Sequence, residues 1–148
     1  MRIKKRVLPF IVFTSLMIGI FAGCDRSGTN NELVNIDSLL SQKQYETALK
    51  KIKTINPNNL GNKDKAYYSL LKTQADYKNY IVATTDSAIN FAVNYYERSN
   101  DKEKYTRSLI YQGCVNEELG NLEEAVKCYH KADDVADEKT YKTKHLQR

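Results

Sequence analysis

Apolar side chains recur at steps of three and four residues along most of the chain after Thr29. The first stripe contains Leu33, Ile36, Leu39 and Leu40, and five further stripes follow it. This spacing places apolar side chains on one face of a helix, whereas a half-buried strand needs strict alternation, which no window shows. The pattern therefore predicts an all-α chain of six helices joined by short loops.

Capping and turn residues divide these stripes into separate helices. A short polar residue followed three residues later by Glu or Gln predicts a helix start, because both side chains can satisfy free backbone N–H groups. Four such pairs occur: Thr29 with Glu32, Ser41 with Gln44, Asn100 with Glu103, and Asn121 with Glu124. Further boundaries are expected at Gly61 and Asn62 before the third helix, at Thr84 or Thr85 before the fourth, and at Gly120, in a left-handed conformation, after the fifth. The second helix is expected to end between Ile55 and Pro57, because Pro cannot continue a helix.

The six helices are expected to form three antiparallel pairs. Ala48, Ala88 and Ala125 each lie early in the second helix of a pair, 40 and 37 residues apart. A small side chain at a repeated position lets two helices approach closely. Repetition of a helix–turn–helix unit at this period is typical of a solenoid, in which each unit packs mainly against its neighbours.

The third pair carries most of a known 34-residue motif, W-x2-L-G-x2-Y followed by A-x3-F and P. The matching glycine, turn glycine, small, aromatic and small positions are Gly113, Gly120, Ala125, Tyr129 and Ala132. The chain thus resembles the tetratricopeptide-repeat family over roughly residues 31–138. It departs from the motif at Leu109, Gln112, Asn116 and Asp137. The resemblance implies stacked antiparallel helix pairs in about three degenerate repeats, with a concave groove.

Residues 1–23 have the three parts of a secretory signal peptide. A basic start precedes an apolar run over residues 7–21, after which two small residues lead to Cys24. Phe21-Ala22-Gly23-Cys24 resembles a bacterial lipobox, which implies that Cys24 is lipidated and becomes the new N-terminus. A retained transmembrane anchor and an ordinary cleaved signal peptide are the alternatives. Residues 24–31 then form a polar tether to a helical domain over residues 32–138.

The combined features are similar to the tetratricopeptide lipoproteins of Bacteroides-type bacteria, some of which are exported parts of signalling regulators. This similarity implies a lipid-anchored protein of the bacterial cell envelope. The outer membrane and the periplasmic face remain alternatives for its location.

The net charge of +5 comes mostly from the predicted signal peptide. Arg2, Lys4, Lys5 and Arg6 carry four of the positive charges, and 19 basic residues then stand against 18 acidic ones. Binding of nucleic acid needs a clustered basic face. The nearly neutral mature chain therefore gives no reason to expect nucleic acid as a partner.

Motifs for catalysis or cofactor binding are missing from the sequence, including GxGxxG, GxxxxGK[ST], HExxH and GxSxG. Adjacent carboxylates such as Glu117 and Glu118 point to different sides of a helix, so they do not form a general acid–base pair. Cys114 and Cys128 lack the partners and the spacing of a zinc site. Free thiols are expected at both positions, with a disulfide between them as the alternative. We expect no enzyme activity, no cofactor and no metal.

The tetratricopeptide resemblance places the groove on the first helix of each pair. Groove positions of the second and third pairs fall on Ser69, Thr73, Asp76, Tyr77, Arg107, Ile110, Cys114, Glu117 and Glu118. This set combines both signs of charge with one aromatic ring, which suits an extended peptide. The leading hypothesis is a membrane-anchored scaffold that binds a protein or peptide partner. Its alternatives are the exported sensory part of a longer regulator and an accessory lipoprotein of a carbohydrate-uptake system.

Eight of the eleven tyrosines fall into two groups. Six of them fit packing positions: Tyr67, Tyr68, Tyr95, Tyr96, Tyr111 and Tyr129. Tyr77 and Tyr80 do not fit the core pattern well, so they are the residues of interest for an aromatic binding platform of the kind that carbohydrates use.

Residues 139–148 are basic and contain no acid. Counting 34 residues from Thr106 places Thr140 at the start of a fourth repeat, so a separate terminal helix is expected there. In one alternative Tyr141 and Leu146 cap the sixth helix. In the other the segment begins a further repeat of a longer array, which would leave an apolar surface open to self-association.

Overall fold

The computed structural model describes residues 30–146, with side chains as far as Asp137. Six α-helices occupy most of this range, which contains no β-strand, so the predicted all-α class is confirmed for it. The helices are α1 (Asn31–Ser41), α2 (Tyr45–Ile52), α3 (Asn62–Lys78), α4 (Ser87–Glu97), α5 (Lys102–Glu118) and α6 (Leu122–Leu146). A short 3-10 turn, Pro57–Asn59, lies between α2 and α3. The predicted signal peptide and the lipidation site Cys24 lie outside the described residues.

Two helices are capped one residue later than predicted. The side chain of Asn30, rather than Thr29, caps α1 by accepting a hydrogen bond from the Glu32 N–H at 2.9 Å. The carboxylate of Asp101, rather than Asn100, caps α5 by accepting a backbone N–H three residues later at 3.0 Å. A carboxylate at this position also interacts favourably with the positive end of the helix dipole.

The starts of α2 and α4 also differ from the prediction. Ser41 is the last residue of α1 rather than the cap of α2, and its hydroxyl donates to the Asp37 carbonyl at 2.9 Å. α4 begins after Asp86, one residue beyond Thr85, and neither α2 nor α4 has a side-chain hydrogen bond at its N-cap. Thr85 still acts at the start of α4, because its hydroxyl oxygen accepts a hydrogen bond from the Ser87 N–H at 3.2 Å.

Two apolar cores hold the helices together. The core of α1, α2 and α3 contains Leu33, Ile36, Leu40, Ala48, Ile52, Tyr67, Leu71 and Ala75. The core of α3 to α6 includes Ala66, Leu70, Ile89, Val93, Leu109, Val115 and Val135. Burial of each large aliphatic side chain contributes about 1.5–3 kcal/mol. Since α3 supplies side chains to both cores, it joins the two halves of the domain.

Contacts between helices follow the order of the chain. α1 contacts α2 and α3, α3 contacts α4 and α5, and α5 packs most extensively against α6. The first helices of successive pairs therefore touch each other as well as their own partners.

α2 ends at Ile52, before the predicted Ile55, and Ile55 packs partly buried against the first core.

The first helix of each pair ends in the same type of turn. Lys43, Tyr80 and Gly120 follow α1, α3 and α5 with left-handed φ angles of 62°, 58° and 79°. The closing hydrogen bonds run from the N–H groups of Gln44, Ile81 and Asn121 to the carbonyls of Leu39, Asp76 and Asn116, at 2.9, 3.0 and 2.8 Å. This is the Schellman arrangement. The left-handed conformation predicted for Gly120 is confirmed, and two further examples occur without glycine.

The small residues proposed for the helix contacts are buried in two of the three pairs. Ala48 and Ala125 are 0% and 1% exposed. The prediction for Ala88 is wrong, because Ala88 is exposed and Ala92, about one turn later, is fully buried. Eight residues join α3 to α4, whereas three join α1 to α2 and α5 to α6. Ala88 and Ala92 lie on the same face of α4, so the buried small residue is displaced by about one turn along the helix and the buried face is unchanged.

The end of the described chain is a continuation of α6. This helix runs from Leu122 to Leu146 without a break, so Thr140 lies inside it and the expected separate terminal helix does not form. No Gly, Pro or Asn occurs between Ala132 and Leu146 to end the helix. The 34-residue count assumed a turn that the sequence does not provide.

Candidate functional site

A partly buried carboxylate joins the first helices of the three pairs. Arg107 of α5 lies with its Nη1 2.9 Å from Asp37 Oδ1 of α1, and its Nη2 donates to Asp37 Oδ2 at 3.1 Å. The hydroxyl of Tyr67, on α3, donates to the same carboxylate. Burial, and then the Asp37 carboxylate, raise the pKa of Tyr67. We refer to Asp37, Tyr67 and Arg107 as the Asp37 cluster.

Arg107, which is predicted to contact a partner, forms an ion pair within this cluster. Burial acts to lower the pKa of its guanidinium, but the hydrogen bond and the negative charge of Asp37 outweigh it and the pKa is raised. The two side chains are 23% and 20% exposed, so the pair is shielded from most of the solvent. The Arg107 guanidinium is therefore already paired within the chain.

The other predicted groove residues differ in accessibility. Ser69 is buried, and Thr73 donates its hydroxyl to the Ser69 carbonyl at 2.9 Å. Asp76 forms an ion pair with Lys72, one turn before it on α3. Ile110 is exposed on α5. Of these four residues, Ile110 therefore presents the most free surface.

Four predicted groove residues meet in one open pocket of about 720 Å³ between the ends of α3 and α5 and the start of α2. They are Tyr77, Cys114, Glu117 and Glu118. The remaining lining residues are Tyr45, Lys78, Tyr80 and Val82. We refer to this site as the tyrosine pocket. It contains both of the tyrosines that do not fit the core pattern.

The aromatic rings of the pocket hold a cation of the protein itself. The Lys78 ammonium lies 5.9 Å from the centroid of the Tyr45 ring and 5.8 Å from that of Tyr77. Both distances are within the range of cation–π attraction. Tyr77 is positioned by an edge contact with the buried Tyr111 ring, with the centroids 5.9 Å apart and the planes at 71°.

Two carboxylates give the pocket a negative side. Glu118 Oε2 accepts a hydrogen bond from the Ala83 N–H at 2.8 Å, and Glu117 is exposed. The pKa of the Tyr77 hydroxyl is raised, first by its electrostatic interaction and hydrogen bond with the neighbouring Cys114, then by burial and by both carboxylates. Two carboxylates against the single Lys78 ammonium leave an excess of negative charge.

Tyr80 projects from the pocket rim in an unusual backbone conformation. Its side chain is 93% exposed, and its φ of 58° lies in the left-handed region that favours glycine. Nearby, the Asn79 side chain donates to the Tyr45 carbonyl at 3.0 Å and to the Ala75 carbonyl at 2.7 Å. The rim is therefore fixed to both α2 and α3, and it presents a ring where glycine would be less strained.

The two cysteines of the helical domain carry free thiols. The Tyr129 hydroxyl donates to Cys114 Sγ at 3.7 Å, while Cys128 Sγ donates to Gln112 Oε1 at 3.2 Å. Burial, and then the Glu124 carboxylate, raise the pKa of Cys128. The two sulfur atoms therefore have separate neighbours, and Cys128 is held in the unreactive thiol form.

Sequence reasoning missed three residues that belong to the tyrosine pocket or to the Asp37 cluster. Tyr45 fitted the apolar stripe of α2 and Lys78 ended the stripe of α3, so neither stood out as a ligand-binding residue. Asp37 was missed because groove positions were mapped only on the second and third pairs. Mapping the groove positions on α1 as well would have selected the acid Asp37, whose charge is opposite to that of Arg107, and this would have indicated the Asp37 cluster.

The described residues contain no candidate metal site and no candidate membrane span. Among their side chains, no group of three or more His, Cys, Asp or Glu is placed to hold a metal ion. None of the helices within residues 30–146 is both long and apolar enough to cross a membrane. No protein-family model matches the chain, and no curated protein or solved structure is significantly similar to it.

Proposed function

We propose that this chain is a scaffold of three tetratricopeptide-like helix pairs that binds an extended segment of a protein partner. The binding surface is the face that α1, α3 and α5 share, and the scaffold has no catalytic step of its own. The tyrosine pocket is the observation that carries this proposal, because predicted groove residues from α3 and α5 meet there. Val82 and the tyrosine rings supply apolar contact, while Lys78 and Glu117 supply polar contact at the rim.

The repeat arrangement is supported by features that recur in all three pairs. The left-handed residues Lys43, Tyr80 and Gly120 lie 37 and 40 residues apart, each after the first helix of a pair. First helices contact each other in order, α1 with α3 and α3 with α5. Such nearest-neighbour packing is characteristic of helical repeats.

An open groove suits a peptide better than a small molecule. Sites for small ligands are concave and bury most of the ligand surface. The tyrosine pocket is broad and open, and Tyr80 at its rim is almost fully exposed. An extended chain can cross such a site and place one side chain in it.

We further propose that the scaffold is held in the bacterial cell envelope by lipid on Cys24. The proposal rests on the lipobox resemblance of residues 21–24. A multiply acylated terminus binds membranes firmly, because each buried methylene contributes about 0.8 kcal/mol. Metabolic labelling with a fatty acid should mark the wild type and spare Cys24→Ser. Equal labelling of both chains, or of neither, would contradict the anchor.

Carbohydrate binding is the second candidate, because Tyr77 and Tyr80 lie in one pocket together with Tyr45. Sugar rings stack on exposed aromatic faces, and the nearly complete exposure of Tyr80 would permit this. The paired charges around the pocket favour the peptide hypothesis. A neutral oligosaccharide that competes with the protein partner would favour the sugar hypothesis.

Site-specific photo-crosslinking in cells that express the full chain tests partner binding. A benzoylphenylalanine replacing Ile110 would lie on the proposed binding face, and one replacing Val126 on α6 is a control of similar exposure, at 41% and 52% for the two native residues. We expect a discrete protein adduct from position 110 only. Adducts from both positions, or from neither, would contradict a partner on this face.

A further inference from the structure

We propose that the tyrosine pocket recognises a cationic side chain, lysine or arginine, in the extended segment of the partner. The cation would contact the rings of Tyr45 and Tyr77 and face the carboxylate of Glu117. This inference rests on the proposed function, since it specifies the chemistry of the segment that the same surface binds.

The position of Lys78 shows that the pocket accommodates a cation. Its ammonium lies within 6 Å of two ring centroids at once, at 5.9 Å from Tyr45 and 5.8 Å from Tyr77. A cation over an aromatic face is attracted by the ring quadrupole, and arginine and lysine both use this contact. Because Lys78 is the last residue of α3 and has a long flexible side chain, it can turn toward solvent when another cation enters.

The charge of the lining favours a cation over an anion. Glu117 and Glu118 contribute two negative charges, and Lys78 contributes one positive charge. Both carboxylates act on the Tyr77 hydroxyl, so they lie close enough to the aromatic rings to influence a charge placed there. Glu118 already accepts a hydrogen bond from the Ala83 N–H, while Glu117 is the more exposed of the two carboxylates.

The apolar part of the pocket matches the stem of a long basic side chain. Tyr80 is 93% exposed and Val82 is 65% exposed, and both line the same pocket. Lysine and arginine place their methylene groups on apolar surface while the charged end remains near polar groups. Tyr80 and Val82 can cover the stem while Glu117 meets the charge.

Titration of the isotope-labelled full chain with synthetic peptides tests the chemistry of the pocket. The probes are glycine–serine heptapeptides with a central lysine, arginine, norleucine or glutamate, observed through amide NMR signals of residues 77–82. The lysine and arginine peptides should bind about fivefold more tightly than norleucine, as a cation–π contact at an exposed site provides. The glutamate peptide should bind most weakly.

Charge-neutralising variants then test the assigned roles. Glu117→Gln should weaken binding of the lysine peptide about threefold, because it removes an attractive carboxylate, while Lys78→Gln should strengthen it by a similar factor, because it removes the competing cation. Matched controls lie at the opposite ends of the same helices, and both are exposed: Glu103→Gln on α5 and Lys63→Gln on α3. The controls should leave the affinity unchanged.

Several results would overturn cation recognition. These are equal affinity for the lysine and norleucine peptides, equal effects of the pocket and control variants, or shifts with a neutral glucose oligosaccharide and not with the lysine peptide. The two proposals fail separately. A cross-linked partner at position 110 with no preference among the peptides removes only the cation selectivity. A Glu117-dependent preference for lysine without a cross-linked partner removes only the partner-binding function.

Discussion

The ring of Tyr129 on α6 packs directly against Gly113 on α5. A β-carbon added at Gly113 would lie 2.3 Å from Tyr129 Cε1 and 2.6 Å from Cζ, which is far inside van der Waals contact. The two residues occupy the helix-A glycine and helix-B aromatic positions of the motif that the third pair resembles. Because Gly113 has no side chain, the Tyr129 ring can pack against α5 at this point.

Gly113→Ala should destabilise the protein by about 1–2 kcal/mol. Overpacking by a methyl group costs about 1–3 kcal/mol, and the better helix propensity of alanine offsets part of this loss. Chemical denaturation measures the free energy of unfolding. In a Tyr129→Ala background the same substitution should be neutral or stabilising, because the clashing ring is gone. An equal loss in both backgrounds would show that the ring is not the cause.

The Asp37 cluster should contribute measurably to stability, because its ion pair is largely shielded from water. Arg107→Met and Asp37→Asn should each lower the free energy of unfolding by about 1–3 kcal/mol, since each leaves the other charge without its partner. The double variant should lose less than the sum of the two, with a coupling of about 1 kcal/mol.

The exposed Lys127 provides the control for this ion pair. It pairs with Glu123 and Glu124 on α6, with the three side chains 58%, 84% and 59% exposed. Lys127→Met should change stability by less than about 0.5 kcal/mol, because exposed ion pairs contribute little. Additive effects of the Asp37 and Arg107 substitutions would contradict a direct interaction between them.

The Tyr80 side chain should lower the stability of the protein and contribute to peptide binding. Tyr80→Gly should stabilise the protein by roughly 1 kcal/mol, because glycine adopts a left-handed conformation without the steric penalty of a side chain. The same substitution should weaken binding of the lysine heptapeptide, because it removes one wall of the tyrosine pocket. Thermal unfolding and the peptide titration measure the two effects on the same samples.

Lys43→Gly is the matched control, since Lys43 has a φ of 62° in the equivalent turn after α1 and does not line the tyrosine pocket. This variant should gain similar stability and keep its peptide affinity. If both variants lost affinity, Tyr80 would have no specific part in binding.

The helices were predictable because each depends on local spacing of apolar residues and on local turn residues. Longer-range features were not. The Ala88 prediction failed because Ala88 and Ala92 lie on the same face of α4, and the spacing of apolar residues does not show at which turn of that face the helices pack together. The left-handed turns at Lys43 and Tyr80 lacked the glycine that normally marks them, so only the backbone hydrogen bonds of the folded chain identify them.

The candidate site was predictable only in part, for a related reason. Tyr77 and Tyr80 could be selected because they did not fit a local packing pattern. The role of Arg107 could not be inferred, because its partner Asp37 is 70 residues away in the chain and reaches it only after α1, α3 and α5 have packed together. Groove positions taken from a repeat motif carry no information on whether a charge is already paired.

The buried tyrosines should make the protein sensitive to alkaline pH. Burial, and then the nearby Cys114, raise the pKa of Tyr111 to about 12, from an ordinary value of 10.0. Burial is also the first cause of the raised pKa values of Tyr67 and Tyr96. Below pH 10 the folded and unfolded chains both keep these protons, so the stability is fully present. Between about pH 10 and 12 the unfolded chain releases protons that the folded chain retains, so stability falls as the pH rises.

Tyr111→Phe should make this loss less steep. Phenylalanine keeps the ring that packs against Tyr77 but cannot ionise, so one released proton, equivalent to about 1.4 kcal/mol per pH unit, is removed from the slope. The wild type should therefore lose about 2 kcal/mol more than the variant by pH 11.5, after similar stability at pH 7. Urea unfolding between pH 7 and 11.5 measures both curves. Parallel curves above pH 10 would show that Tyr111 ionises equally easily in the folded and unfolded chains, and thus that its ring is not buried between α3 and α5.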